Sequence, residues 1–145
     1  AVMAHVHTAT VLVAAAAVAD WRVAKPSEQK IKKDASGQTP QLSFEENADI
    51  LATVAMLPQA QTGRLYCVGF AAESHNLLEN AEAKRLRKKV PLLVGNIGPD
   101  TFGKDHNALL LVDEGGTRQL PHASKLALAR QLVGEMASRM AVLNP

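Results

Sequence analysis

Residues 9–17, Ala-Thr-Val-Leu-Val-Ala-Ala-Ala-Ala, run apolar almost without interruption and without alternation. A strand with one wet face alternates; a run of this kind suits a parallel strand covered by helices on both faces. Residues 64–70 (Arg-Leu-Tyr-Cys-Val-Gly-Phe) and 90–94 (Val-Pro-Leu-Leu-Val) repeat the theme. Helical patterns lie between these runs. Asn47 reads as an N-cap, Asp49 suits a first turn, and Ile50, Leu51, Val54 and Leu57 form a stripe that Pro58 ends. Asn76 to Lys89 reads as a strongly basic helix. A last helix from about Ser124 places Leu126, Ala129, Val133, Met136 and Met140 on one face.

Two hairpins complete the pattern. The polar stretch Asp20–Lys33, the turn signal Asp34-Ala-Ser-Gly37 and the alternating Leu42-Ser-Phe-Glu45 predict a small β-hairpin flap. Asn107–Val112, the turn Asp113–Thr117 and Arg118-Gln-Leu120 predict a terminal hairpin. Strands alternating with helices give the fold class: α/β, a Rossmann-like, doubly wound, mostly parallel sheet. No repeat, linker or low-complexity tract divides residues 1–145, so one domain is expected. Residues 1–7 read as the last turns of a helix with no initiating Met. The expectation is a domain that lacks its first β-α segment.

Apolar residues make up 47% of the chain but aromatics only 3%, so Ala, Val and Leu must fill the core. A net charge of +2 argues against a broad nucleic-acid surface. The single cysteine, Cys67, permits no internal disulfide and reads as a buried core thiol rather than a nucleophile. No apolar run approaches the roughly 20 residues of a membrane span, and the start lacks the basic head of a signal peptide. A cytoplasmic protein without nucleic-acid or membrane partners is expected.

Three predicted strand ends carry unusual residues: Ala14–Asp20, Gly69–Glu73 and Gly95–Gly98. Ligands of such sheets bind beyond the carboxyl ends of the strands. In the first segment, small alanines let a planar ligand lie against the backbone, and Asp20 can accept hydrogen bonds from a ribose or an amine. Lys30, Lys32 and Lys33 follow, with Lys30 and Lys32 on one face if the ribbon is extended. A solvated lysine edge that discourages strand aggregation is an equal reading of these three.

On the basic helix, five cations occupy the six positions 84–89. Lys84 and Lys88 stack as like charges, and only Glu82 and Arg85 make a plausible local pair. An anionic ligand such as a triphosphate would offset that repulsion; the negative helix C-terminus would relieve it in part. In Gly69-Phe-Ala-Ala-Glu73, Gly69 permits close approach and Phe70 is a stacking face or simple core. Neither a dinucleotide fingerprint, nor a P-loop, nor a nucleophile elbow occurs. His5, His7, His75, His106 and His122 read as bystanders, and no set of metal ligands stands out.

Ala16-Ala-Val-Ala-Asp-Trp-Arg22 followed by Lys30-Ile-Lys-Lys33 resembles the signature of the phosphopantothenoylcysteine synthetase family. Gly69-Phe-Ala-Ala-Glu73, Lys84-Arg-Leu-Arg-Lys88 and Phe102-Gly-Lys-Asp-His-Asn107 follow in that family's order and spacing. The resemblance implies a ligase of coenzyme A synthesis. CTP would activate the carboxylate of 4′-phosphopantothenate as an acyl-cytidylate, with Mg²⁺ on the triphosphate, and cysteine would then take the acyl group. It also implies a homodimer, paired through the 107–120 hairpin. A flavin-dependent decarboxylase domain, with its FMN, is often fused ahead of this one; no trace of it is present in these residues.

Carried over by position, the resemblance implies that Ala14, Ala15 and Ala16 lie against the nucleotide and that Asp20 binds it. Lys30 would contact CTP and assist the activation step. Ala48, Asp49, Ile50 and Leu51 would offer backbone groups, Phe70 would pack by the base or ribose, and Lys84 and Lys88 would hold the phosphates. The family's catalytic Asn and glycine-rich first turn would lie upstream. Two departures stand out: Asn47-Ala48 replaces Asn-Pro, and Gly95-Asn-Ile-Gly98 replaces a loop that carries an Asp. A nicotinamide-dependent oxidoreductase module and a non-catalytic regulatory relative are the alternatives.

Overall fold

The structure, a computed structural model, describes residues 1–32, 39–101 and 103–143. Lys33, the turn at 34–37 and Phe102 therefore lie outside the described residues. The chain divides into two compact units: residues 1–16 with 50–145, and residues 17–49.

The larger unit holds a five-stranded sheet in the order β1 (Val11–Ala14), β4 (Tyr66–Glu73), β5 (Leu92–Ile97), β6 (His106–Asp113), β7 (Gly116–Ser124). The β1–β4 and β4–β5 pairs are parallel, and β5–β6 and β6–β7 are antiparallel. Four of the five strands thus share one direction and β6 opposes them. The predicted terminal hairpin is β6–β7, and it is also the reason the sheet is mixed.

Period-two alternation sends β4 and β5 into two cores at once. Cys67, Ala71 and Leu93 face a cluster with Leu51, Val54 and Ala81, which come from α2 (Ile50–Ala55) and α4 (Leu77–Lys88). Tyr66, Val68, Leu92 and Val94 face the other way, against Leu128 and Leu132 of α6 (Lys125–Leu143). Both faces of these strands are covered, which is why their sequences do not alternate. Short helices α1 (Val2–His5), α3 (Pro58–Gln61) and α5 (Gly98–Thr101) fill the connections.

The contacts on one face are close enough to demand glycine. A Cβ on Gly69 would stand 2.7 Å from Leu51 Cδ2 and 2.8 Å from Leu93 Cδ1. One on Gly95 would stand 2.8 Å from Leu77 Cδ1. These glycines let α2 and α4 settle directly on the sheet.

Two helical expectations need correction. Met136 and Met140 of the expected stripe pack on the sheet, but with Leu128 and Leu132, while Leu126 and Val133 are 63% and 58% exposed. Leu126 and Val133 lie about a quarter turn from the packed face, at 100° per residue. Apolar residues on both stripes hid the choice. Helix α2 begins at Ile50 rather than at Asn47, because the Asn47 side chain is engaged elsewhere.

That engagement belongs to the smaller unit. Its hairpin pairs β2 (Trp21–Val23) with β3 (Phe44–Glu46), Arg22 opposite Glu45. The Asn47 amide Nδ2 donates to the Ala19 carbonyl at 2.8 Å, and its Oδ1 accepts from Arg22 at 2.9 Å. Its backbone N–H donates to the Asp20 carbonyl at 2.8 Å. Asn47 thus closes the base of the hairpin. The paired part of the flap is shorter than the sequence predicts: Lys30 and Lys32 lie beyond β2, exposed and outside any strand, so strand alternation does not set the side they face.

Candidate nucleotide site at the strand ends

In the larger unit, β4 and β5 end together, whereas β1 stops at Ala14, four residues short of the end of β4. Ala14 is in register with Gly69, Gly69 with Leu93, and Ala71 to Glu73 with Gly95 to Ile97. The structure therefore places the end of β1, at Ala14, beside Gly69 and Phe70 in the middle of β4. Ala15 and Ala16 are exposed beyond β1, where no side chain keeps a ligand from the backbone. Phe70 is half-buried against the α6-side cluster, so it has a packing role as well as an open edge.

Glu73, the last residue of β4, organises this end. Its Oε1 lies 3.1 Å from Lys84 Nζ and its Oε2 accepts from Asn80 Nδ2 at 3.3 Å. Asn80 also donates to the His75 carbonyl at 3.0 Å, tying the β4–α4 turn to the helix. Lys84 is thereby held at the strand end by an acid eleven positions earlier. Counting one turn back along the helix finds no such partner. Glu73 is the residue of this site that sequence reasoning passed over; an acid closing an apolar strand was the available signal.

Lys88 is one helical turn beyond Lys84, about 6 Å further along the axis at 1.5 Å per residue. In a β-α-β unit the helix runs back against its strands, so Lys88 lies toward their amino ends. Leu51 is buried in the core, and the Ile50 side chain is 37% exposed. Asp20, Lys30, Ala48 and Asp49 belong to the smaller unit.

The Gly95–Gly98 segment is tied to Thr101 by hydrogen bonds. Asn96 Nδ2 donates to Thr101 Oγ1 at 2.9 Å, and the buried Thr101 hydroxyl lies 3.3 and 3.2 Å from the carbonyls of Ile97 and Gly98. Asn107 Oδ1 accepts from the Ala108 N–H at 2.7 Å where β6 shifts register, so this motif residue shapes the hairpin. A cleft of about 560 Å³ opens beside these residues, between Leu77, Ile97, Lys104 and His122. The His122 ring stacks on His106 at 5.6 Å.

Chemically, the strand ends offer exposed backbone for a flat ligand and one cation held in place by an acid. Among the described residues no three His, Cys, Asp or Glu side chains are grouped to hold a metal. No helix among them is long and apolar enough to cross a membrane.

Residues 1–140 match the family model described as the DNA/pantothenate metabolism flavoprotein C-terminal domain. The chain is 39% identical over 143 residues to the coenzyme A biosynthesis bifunctional protein CoaBC of Escherichia coli K12, covering 96% of this chain and 34% of that protein. It thus spans about a third of the curated relatives it matches. The crystal structure of the C-terminal domain of a CoaBC superposes with a TM-score of 0.73 at 23% identity, over 97% of this chain and 59% of that one. A Cab2 mutant in complex with phosphopantothenate-cysteine superposes with a TM-score of 0.66 at 20% identity, over 92% and 44%. At these identities the two structures establish the fold: an α/β sheet of this type.

Proposed function

Because the chain belongs to the DNA/pantothenate metabolism flavoprotein C-terminal domain family, we propose that it carries the phosphopantothenate–cysteine ligase site of coenzyme A synthesis. The family match over residues 1–140 is the observation that carries this reading. The cation held at the β4 end and the bare alanine backbone at the β1 end support it.

In the proposed reaction, the carboxylate of 4′-phosphopantothenate attacks the α-phosphorus of CTP. An acyl-cytidylate forms and pyrophosphate leaves. The amine of cysteine then attacks the acyl carbon, an amide forms, a proton is lost and CMP departs. Such a step is accelerated by fixed cations aimed at the charge that develops on the departing pyrophosphate. Lys84, held at the strand end, is the phosphate-holding cation, and Lys88, one turn further from that end, is the second cation the resemblance assigns to the phosphates. Lys30 is the catalytic contact, carried on the exposed segment beyond β2. Ala14 to Ala16, Asp20, the backbone of 48–51 and Phe70 take the nucleoside. Mg²⁺ accompanies the triphosphate, as that hard cation commonly does with substrate phosphates.

The same reading has the protein act in the cytoplasm as a homodimer paired through β6–β7. A flavin-dependent decarboxylase, with FMN, would serve the same pathway from a fused domain.

Calorimetry of CTP against ATP, with Mg²⁺, on the chain and on Lys30→Ala tests the assignment. CTP-selective binding that weakens about tenfold or more in the variant is the expected result, the scale of a lost charged contact. Preference for NADPH, or a CTP affinity indifferent to Lys30, would overturn it.

A further inference from the structure

The strand carboxyl ends leave the opposite end of the larger unit unassigned. There, the starts of β4 and β5, the last turn of α4, the β6–β7 turn and the end of α6 enclose a cleft of about 810 Å³. That volume is within the usual range for small-molecule pockets, roughly 300–1,000 Å³.

The lining divides by chemistry. Tyr66, Leu86 and Val90 supply apolar wall. Arg85 in the last turn of α4 and Lys89, the left-handed residue that caps it, supply two positive charges. Arg85 Nε is buried and has no hydrogen-bond partner. A buried N–H without an acceptor is costly and calls for an explanation. Among the described residues neither side chain forms an ion pair. The acid across the cleft, Asp113, is already taken: Arg139 Nη2 lies 2.9 Å from its Oδ2. Glu114 sits exposed on the turn at the rim.

We propose that this cleft binds an amphipathic anion, its carboxylate or phosphate head on Arg85 and Lys89 and its apolar chain along Tyr66, Leu86 and Val90. A guanidinium edge presents paired donors to either head group. The two cations thereby gain a counter-charge, and the apolar wall is covered. The site is separate from the proposed nucleotide site, and its occupancy does not depend on that assignment.

The test is a titration of the ¹⁵N-labelled chain with octanoate and, separately, octyl phosphate, followed by amide chemical shifts. Saturable shifts confined to Tyr66, Leu86, Lys89 and Gly115 are expected with at least one probe, and the tighter of the two identifies the head group. Arg85→Gln and Lys89→Gln should each weaken binding by about tenfold, the effect of one charged hydrogen bond. Arg85→Lys, which keeps the charge, should recover part of the loss. If Arg85→Gln does not fold, Lys89→Gln at the exposed helix end carries the comparison. Octylammonium or octanol binding as tightly as the anions would overturn the proposal, as would unchanged affinity in the folded glutamine variants. So would the absence of saturable shifts with both anionic probes.

Discussion

Glu73 and Lys84 meet at 3.1 Å across the junction of β4 and α4, with side chains only 18% and 30% exposed. The pair fixes a cation at a strand end and at the same time spends part of its charge. A triphosphate approaching Lys84 must share it with the Glu73 carboxylate. Glu73→Gln should therefore tighten CTP binding a few-fold, while Lys84→Ala should weaken it by about tenfold. Calorimetry on the two variants separates these directions. Weaker CTP binding in Glu73→Gln would mean that the acid positions Lys84 more than it competes for it.

Gly69 should resist substitution for a reason unrelated to chemistry. Its missing Cβ leaves room for Leu51 and Leu93, which would otherwise lie 2.7 and 2.8 Å away. Gly69→Ala should cost about 1–3 kcal/mol, the usual scale of overpacking. Urea unfolding measures it. Adding Leu93→Val should recover part of the loss by shortening one of the two colliding side chains.

The face of α6 sets a sharper contrast. Leu132 is 6% exposed and Val133, its neighbour, 58%. Leu132→Ala should cost about 2–5 kcal/mol, the range for a large side chain removed from a core. Val133→Ala should change stability by no more than about 0.5 kcal/mol. Thermal unfolding of the two variants checks this directly. Similar losses in both would restore the helix face that the 126–140 spacing suggests.

Alkali should destabilise the fold. Burial pushes the Cys67 thiol above its ordinary value of 9.0. Burial also raises the Tyr66 phenol above its ordinary 10.0, with Arg139 opposing and Asp113 and Glu114 adding to the rise. The unfolded chain therefore gives up these protons at lower pH than the folded one. Their contribution is complete below about pH 9 and declines as pH rises toward the folded values. Denaturant midpoints should fall across that window, less steeply in Tyr66→Phe. Tyr66 is the sole tyrosine, so phenol absorbance reports its titration without overlap, and an onset near the ordinary value would contradict the burial described.

Much of the architecture was written in local pattern. The apolar runs at 9–17, 64–70 and 90–94 became β1, β4 and β5; β4 and β5 are covered on both faces and need no alternation, whereas β1 leaves Val13 39% exposed. The turn residues of 113–117 marked the β6–β7 reversal. Long-range relationships were not legible. Asn47 has the chemistry of a helix cap, yet its partners are Ala19 and Arg22, more than twenty residues earlier. Lys84 looked unpaired because its acid stands on a strand, outside any i−3 or i−4 count. Both are tertiary contacts, and helical spacing has nothing to say about them. The end of an apolar run proved a poor guide to a strand's end: β1 stops at Ala14 inside the run 9–17, and β4 continues past Phe70 to Glu73.

Residues 17–49 form a unit of their own, departing from the larger unit after Ala16 and rejoining it at Ile50. Among the described residues, no side chain of 17–49 belongs to the buried core of the larger unit. Loop closure grows only with the logarithm of length, about 0.6 kcal/mol for each doubling. Evolution can thus lengthen, shorten or rewrite this excursion while the sheet stays intact. Within such a lineage, residues 17–49 and the sheet would be free to change at different rates.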